Sequence, residues 1–171
     1  IRVNEMIATM HGNRDGIRIG LAGASTGVVS DVTVSGNVCS DTYGITVYDG
    51  KRISVDGNTV VSTTTPLWIA GAARGVSVNG GTYSGVSNAL NIDSNATLVT
   101  VAGGSYTVDP ASSSSDAIRI AGSYVTMTGV AVDNANRSGV RITGTAHDIS
   151  ITGLLALDDQ GSPTMDDAVH V

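Results

Sequence analysis

One three-residue pattern, apolar–any–apolar, returns along the whole chain and leaves few folds open to it. It occurs as Ile17-Arg18-Ile19, Ile45-Thr46-Val47, Leu67-Trp68-Ile69, Leu90-Asn91-Ile92, Ile118-Arg119-Ile120, Val140-Arg141-Ile142 and Val169-His170-Val171, each preceded by a small residue or Pro. Successive copies stand 28, 22, 23, 28, 22 and 29 residues apart. Between them runs a second triplet with Ser or Thr at its centre: Val32-Thr33-Val34, Ile53-Ser54-Val55, Val76-Ser77-Val78, Val99-Thr100-Val101, Val125-Thr126-Met127 and Ile149-Ser150-Ile151. Two residues after each of these comes a Gly, from Gly36 to Gly153. A shorter third strand follows, as in Val130-Ala131-Val132 or Leu154-Leu155-Ala156.

Alternation with period two gives a strand one buried face. The few strands of one 22–29-residue unit cannot close a core alone, whereas stacking unit on unit buries a continuous column. The pattern therefore predicts an all-β fold: a right-handed, single-stranded parallel β-helix (solenoid) of six to seven coils, with 1–171 forming one domain. The Gly column predicts a tight corner at positive φ. The uneven spacing predicts extruded loops at 111–115 and 160–166. An antiparallel sandwich would also show short alternating strands. The fixed order strand, loop, strand, Gly, strand argues against it, and a leucine-rich repeat would need helix-period stretches that are absent here. Composition agrees with short strands and tight turns: 22 Gly, no Phe, and only 14% charged residues.

The net charge of −6 and the lack of any Lys/Arg cluster in the sequence argue against a nucleic-acid partner. Cys39 is the only Cys, so neither an internal disulfide nor a Cys-based zinc site is available. No stretch nears the roughly 20 apolar residues of a membrane span. Ile1-Arg2-Val3 reads as the second strand of a coil and Val169-His170-Val171 as the start of another. The chain thus reads as a segment of something longer, its open ends covered by flanking domains or by a homotrimeric assembly.

These repeats resemble the right-handed parallel β-helix superfamily of pectate lyases, polygalacturonases, alginate epimerases and phage tailspikes. The resemblance covers nearly the whole chain and is one of architecture. It implies a polysaccharide partner held in a groove beside the first strand, and a secreted or virion-borne protein. Asn13-Arg14-Asp15-Gly16 loosely resembles the Asn-Thr-Asp-Gly motif of polygalacturonases. The coil after it carries Ser40-Asp41 in place of their paired Asp, and no Gly-His-Gly follows, so no catalytic residue is carried over. Calcium-dependent lyases of this kind use Asp clusters. Asp158-Asp159 and Asp166-Asp167 are available, but no motif supports a Ca²⁺ site and no cofactor is implied.

In a solenoid the middle residue of each triplet points outward. The second-strand column is a plain hydroxyl ladder: Thr33, Ser54, Ser77, Thr100, Thr126, Ser150. The first-strand column is chemically varied: Arg18, Thr46, Trp68, Asn91, Arg119, Arg141, His170. Neighbours in such a column lie about 4.8 Å apart. A flat indole at Trp68 can stack on a sugar ring. Arg119 and Arg141 would repel unless an anion sits between them: Asp116, Asp93, or a carboxylate or sulfate on a glycan.

Substrate binding is accordingly expected from Trp68, Asn91, Arg119, Arg141 and Arg18. If the chain is an enzyme, a glycoside hydrolase or polysaccharide lyase, Asp93 and Asp116 are the expected catalytic pair. Strand geometry puts them about 8–12 Å apart, overlapping the roughly 6.5–9.5 Å of inverting glycosidases. The rival reading is a structural shaft or adhesin stalk, with an ice-binding surface a third. Cys39 is expected on one inward column with Val60 and Val132, Tyr83 should stack on Tyr106, and Asn37 and Asn58 should share a corner.

Overall fold

The computed structural model describes residues 1–4, 7–9, 15–20, 29–109, 115–157 and 165–171. Most of the two expected loops lies outside these residues, as do Asn13, Arg14, Asp158 and Asp159. Three parallel sheets of seven strands each account for all the regular structure among the described residues. Sheet A carries the Ser/Thr-centred triplets: β1 (Arg2–Asn4), β4 (Ser30–Ser35), β7 (Lys51–Asp56), β10 (Arg74–Asn79), β13 (Thr97–Ala102), β16 (Ser123–Thr128) and β19 (Ile149–Thr152). Sheet B holds the third strands: β2 (Ile7–Thr9), β5 (Val38–Thr42), β8 (Thr59–Ser62), β11 (Thr82–Gly85), β14 (Ser105–Val108), β17 (Ala131–Asp133) and β20 (Leu155–Leu157). Sheet C is built from the varied triplets: β3 (Ile17–Ile19), β6 (Ile45–Tyr48), β9 (Leu67–Ala70), β12 (Leu90–Ile92), β15 (Ile118–Ile120), β18 (Ser138–Ile142) and β21 (Asp167–His170).

Each strand pairs in parallel with the strand three elements further on, so the chain visits A, B and C and returns one step along the stack. That is a parallel β-solenoid. The registers align the triplets as the repeat predicts: Val76 lies between Ile53 and Val99, and Asn91 between Trp68 and Arg119. The inward residues form one column-shaped core. Val34, Val55, Val78 and Val101 from sheet A meet Ile45, Leu67, Leu90 and Ile118 from sheet C, all fully buried. Burying each such side chain stabilises the fold by about 1.5–3 kcal/mol.

The Gly column behaves as its position demands: φ runs from 58° to 66° at the A-to-B corner. At Gly57 an added Cβ would meet nothing within 4 Å, so the backbone angle, not lack of room, calls for glycine.

Just past this corner the fold trades volume between two positions. Asn37 precedes the small Cys39, and Asn58 precedes Val60; Gly81 and Gly104 precede the large Tyr83 and Tyr106. The second and third coils fill the corner with amides. Asn58 Oδ1 accepts from the Asn37 backbone N–H and from its side-chain amide, both at 2.9 Å, and Asn58 Nδ2 donates to the Val34 carbonyl. In the fourth coil the Tyr83 ring takes that space: a Cβ on Gly81 would come within 2.9 Å of Tyr83 Cε2. Tyr83 and Tyr106 stack at 5.3 Å with planes 13° apart, and Cys39, Val60 and Val132 share their buried column, as expected.

One exposed ion pair ties neighbouring coils and yields a pH prediction. Arg52 grips both carboxylate oxygens of Asp31 at 2.7 Å. The hydrogen bonds from Arg52, and next that from Ser30, hold the Asp31 carboxyl down at about 2, against 3.8 ordinarily. A carboxyl whose folded value is depressed contributes its stabilisation above the unfolded value and loses it as pH falls. The window is therefore about pH 4 down to about 2. In an Arg52→Ala variant the Asp31 carboxyl should titrate higher, moving back towards 3.8 while the Ser30 bond still holds it somewhat below, read by carboxyl carbon NMR. An unchanged midpoint would mean that Arg52 is not the cause.

Candidate functional site

Sheet C turns the varied triplet centres outward in one continuous row. The register runs Arg18, Thr46, Trp68, Asn91, Arg119, Arg141, His170, one residue per strand. The row is not uniformly open. Thr46, expected on the surface, is 2% exposed, and its hydroxyl donates to Asp15 Oδ1 at 2.6 Å. The other Asp15 oxygen pairs with Arg18 at 3.2 Å, so Asp15 folds over this coil and anchors the row's first cation.

The next part of the row is aromatic. Tyr48 lies two residues beyond Thr46 on the same face; the Arg18 guanidinium lies 5.5 Å from its ring, and the ring makes a T-shaped contact with Trp68 at 6.0 Å. A cation over an aromatic face contributes about 0.5–1 kcal/mol at an exposed site. Trp68 is half-buried rather than laid flat to solvent, and its indole N–H is covered and has no partner among the described residues. Beside it lies a surface depression of about 340 Å³ lined by Tyr43, Thr64, Thr65 and Trp68. Tyr43 and Tyr48 were missed by counting triplet centres alone. The period-two rule applied one step past Thr46 would have found Tyr48.

Further along, the row becomes cationic. Asn91 donates to Asp93 Oδ1 at 3.1 Å and accepts from Arg119 at 3.3 Å. Arg119 and Arg141 are direct register neighbours, both half-buried, and neither has a carboxylate within ion-pair distance among the described residues. Of the two acids considered as partners for them, Asp93 is held by Asn91. Asp116 is taken by a residue the sequence reading did not weigh. Its carboxylate receives both arms of the Arg137 guanidinium, Nε at 2.9 Å and the terminal nitrogen onto the second oxygen. Arg137 occupies the same B-to-C corner one coil later, and its backbone N–H also bonds the Ser115 carbonyl.

The pair expected to catalyse is therefore unevenly placed. Asp93 follows β12 and is half-buried, while Asp116 precedes β15 at 1% exposure. They lie on adjacent strands at opposite ends, as expected, but Asp116 is turned into a buried ion pair. No group of three or more His, Cys, Asp or Glu side chains able to hold a metal ion occurs among the described residues.

The chain matches no protein-family model, no curated protein and no solved structure. What the fold and the row define is a class: a parallel β-solenoid with a mixed aromatic and cationic outer row. No helix among the described residues is long and apolar enough to cross a membrane.

Proposed function

We propose that this solenoid recognises an acidic polysaccharide, laid along the outward row of sheet C, as part of a secreted or virion-borne protein of tailspike-like type. The observation that carries the reading is the Arg119–Arg141 pair. Arg119 and Arg141 are half-buried register neighbours on adjacent strands, and neither has a carboxylate within ion-pair distance among the described residues. An anion set between them removes a repulsion and gains charge-assisted hydrogen bonds. The Tyr48–Trp68 cluster supports a sugar as that anion's carrier, since aromatic rings offer a face for pyranose carbons and a polar edge for hydroxyls. The spacing supports a polymer, because successive side chains advance by about 4.8 Å along the axis.

The reading is one of binding. Asp116 is engaged by Arg137 and closed to a ligand, so Asp93 and Asp116 are not assigned an acid/base role. Asn91 and Arg18 serve as flanking donors, Arg18 being partly committed to Asp15.

Trp68 is the only Trp, so its emission reports on this site alone. Adding size-defined oligogalacturonate should shift that emission and cut quenching by iodide, and neutral oligosaccharides should do so more weakly. A Trp68→Ala variant, which loses that emission and is followed by calorimetric titration instead, should bind at least tenfold more weakly. Emission unmoved by every acidic glycan tried, with Trp68 already shielded from iodide, would instead favour the structural-shaft reading.

A further inference from the structure

A second surface lies around the corner from that row, where each coil enters sheet A. The residue at this corner adopts positive φ in six successive coils: Asp31 (58°), Arg52 (52°), Gly75 (67°), Leu98 (54°), Tyr124 (56°) and Asp148 (56°). The ladder steps over it, pairing Arg74 with Thr97 and then Val76 with Val99. For a residue with a side chain this conformation costs about 1 kcal/mol or more, and Gly75 shows that glycine fits the column. Three coils nonetheless carry Arg52, Leu98 and Tyr124 there, and all three side chains are exposed.

Two adjoining depressions, about 330 and 350 Å³, run between them and share Arg74 and Leu98. The first is lined by Lys51, Arg52, Arg74, Gly75 and Leu98, the second by Arg74, Thr97, Leu98 and Tyr124. Gly75 leaves the notch open: a Cβ there would meet only the Arg52 backbone, at 3.7 Å. Lys51 and Arg74 are register partners, both exposed, and neither has an ion-pair partner among the described residues. Arg52 is turned to Asp31. The trough is thus cationic at one end and apolar at the other, and it crosses β7, β10, β13 and β16 over about 14 Å.

We propose that this trough is a second binding site, in which Lys51 and Arg74 take the carboxylate or sulfate groups of an acidic oligosaccharide while Leu98 and Tyr124 lie against its sugar faces. It shares the ligand class of the reading above and none of its residues. An open trough with a step per coil suits a linear chain better than a compact ligand. A nucleic acid is disfavoured: the chain's net charge is −6, and the trough offers two unpaired cations where a phosphate backbone needs a longer run. A peptide strand would seek a free sheet edge, and none opens here because the trough crosses paired strands.

The test is calorimetric titration of the full chain with oligogalacturonate. Wild type should show two sites. A Lys51→Ala/Arg74→Ala variant should lose one of them, with at least tenfold weaker binding there, and its thermal melt should stay unchanged because both side chains are exposed. Tyr124→Ala should weaken the same site, and Gly75→Asn, which tolerates positive φ and fills the notch, should block it. Loss on these variants with Trp68→Ala harmless would uphold the trough and sink the sheet C row. Wild-type binding by all three trough variants would overturn the trough while leaving the row intact. Equal affinity for a single-stranded DNA oligomer, lost in the same variants, would also overturn it, since that is charge attraction without sugar recognition.

Discussion

Replacing Tyr106 by Ala should destabilise the solenoid by about 3–5 kcal/mol, the range for truncating a large buried aromatic ring. Tyr106 is fully buried, stacks on Tyr83 in one direction and pairs with Val132 in the other. The void would have little to collapse into it, because the neighbouring corner position is already Gly104, whose missing side chain makes room for the ring. Stability in a stack is a sum of interfaces, so both adjoining coils lose a contact. Tyr106→Phe should act in the opposite direction. The hydroxyl is buried and has no partner among the described residues. Burial, and after it the neighbouring Tyr83, push its ionisation well above the ordinary value. Removing a buried polar group that lacks a partner should stabilise the protein by about 1 kcal/mol. Urea unfolding of the two variants measures both effects, and a Phe variant as weak as the Ala variant would show that the hydroxyl, not the ring, holds this coil.

Arg137→Ala should cost about 3 kcal/mol, the low end of the range for breaking a buried ion pair, because the Arg137 side chain is itself 40% exposed. The damage comes from the partner left behind. The Asp116 carboxylate is 1% exposed and would lose both of its charge-assisted hydrogen bonds. Asp116→Asn in the same chain should recover part of the loss, since a neutral amide is cheaper to leave buried than a carboxylate. A double-mutant cycle by chemical denaturation measures the coupling. Additive costs would show the pair to be incidental to the fold.

The columns of the solenoid were legible because period two and coil spacing are both written in side-chain type. Ile53, Val76 and Val99 can sit only in register if their outward neighbours Ser54, Ser77 and Thr100 are to reach solvent. The exchange of Asn37/Cys39 for Gly81/Tyr83 is legible for the same reason, being a matter of volume. What lay outside triplet counting belongs to the turns. Thr46 is outward by register yet covered, because Asp15 reaches it from the preceding coil. Asp116 stands two residues before Ile118, so strand counting places it beside the sheet C row. Its actual partner, Arg137, sits at the equivalent corner one coil on, where strand centres give no guide. The left-handed corner before sheet A was invisible because Arg52, Leu98 and Tyr124 are not residues that advertise positive φ.

The most direct test of the account is the affinity of an Arg119→Ala/Arg141→Ala variant for oligogalacturonate at the sheet C row, read from Trp68 emission at low and raised salt. Wild type should bind the acidic oligosaccharide better than a neutral one of equal length, with added salt weakening the difference. The variant should bind at least tenfold more weakly, about 1.4 kcal/mol, with its melting temperature held. Equal binding by variant and wild type, or equal response to neutral and acidic sugars, would contradict the claim that the outward row of sheet C recognises an anionic glycan.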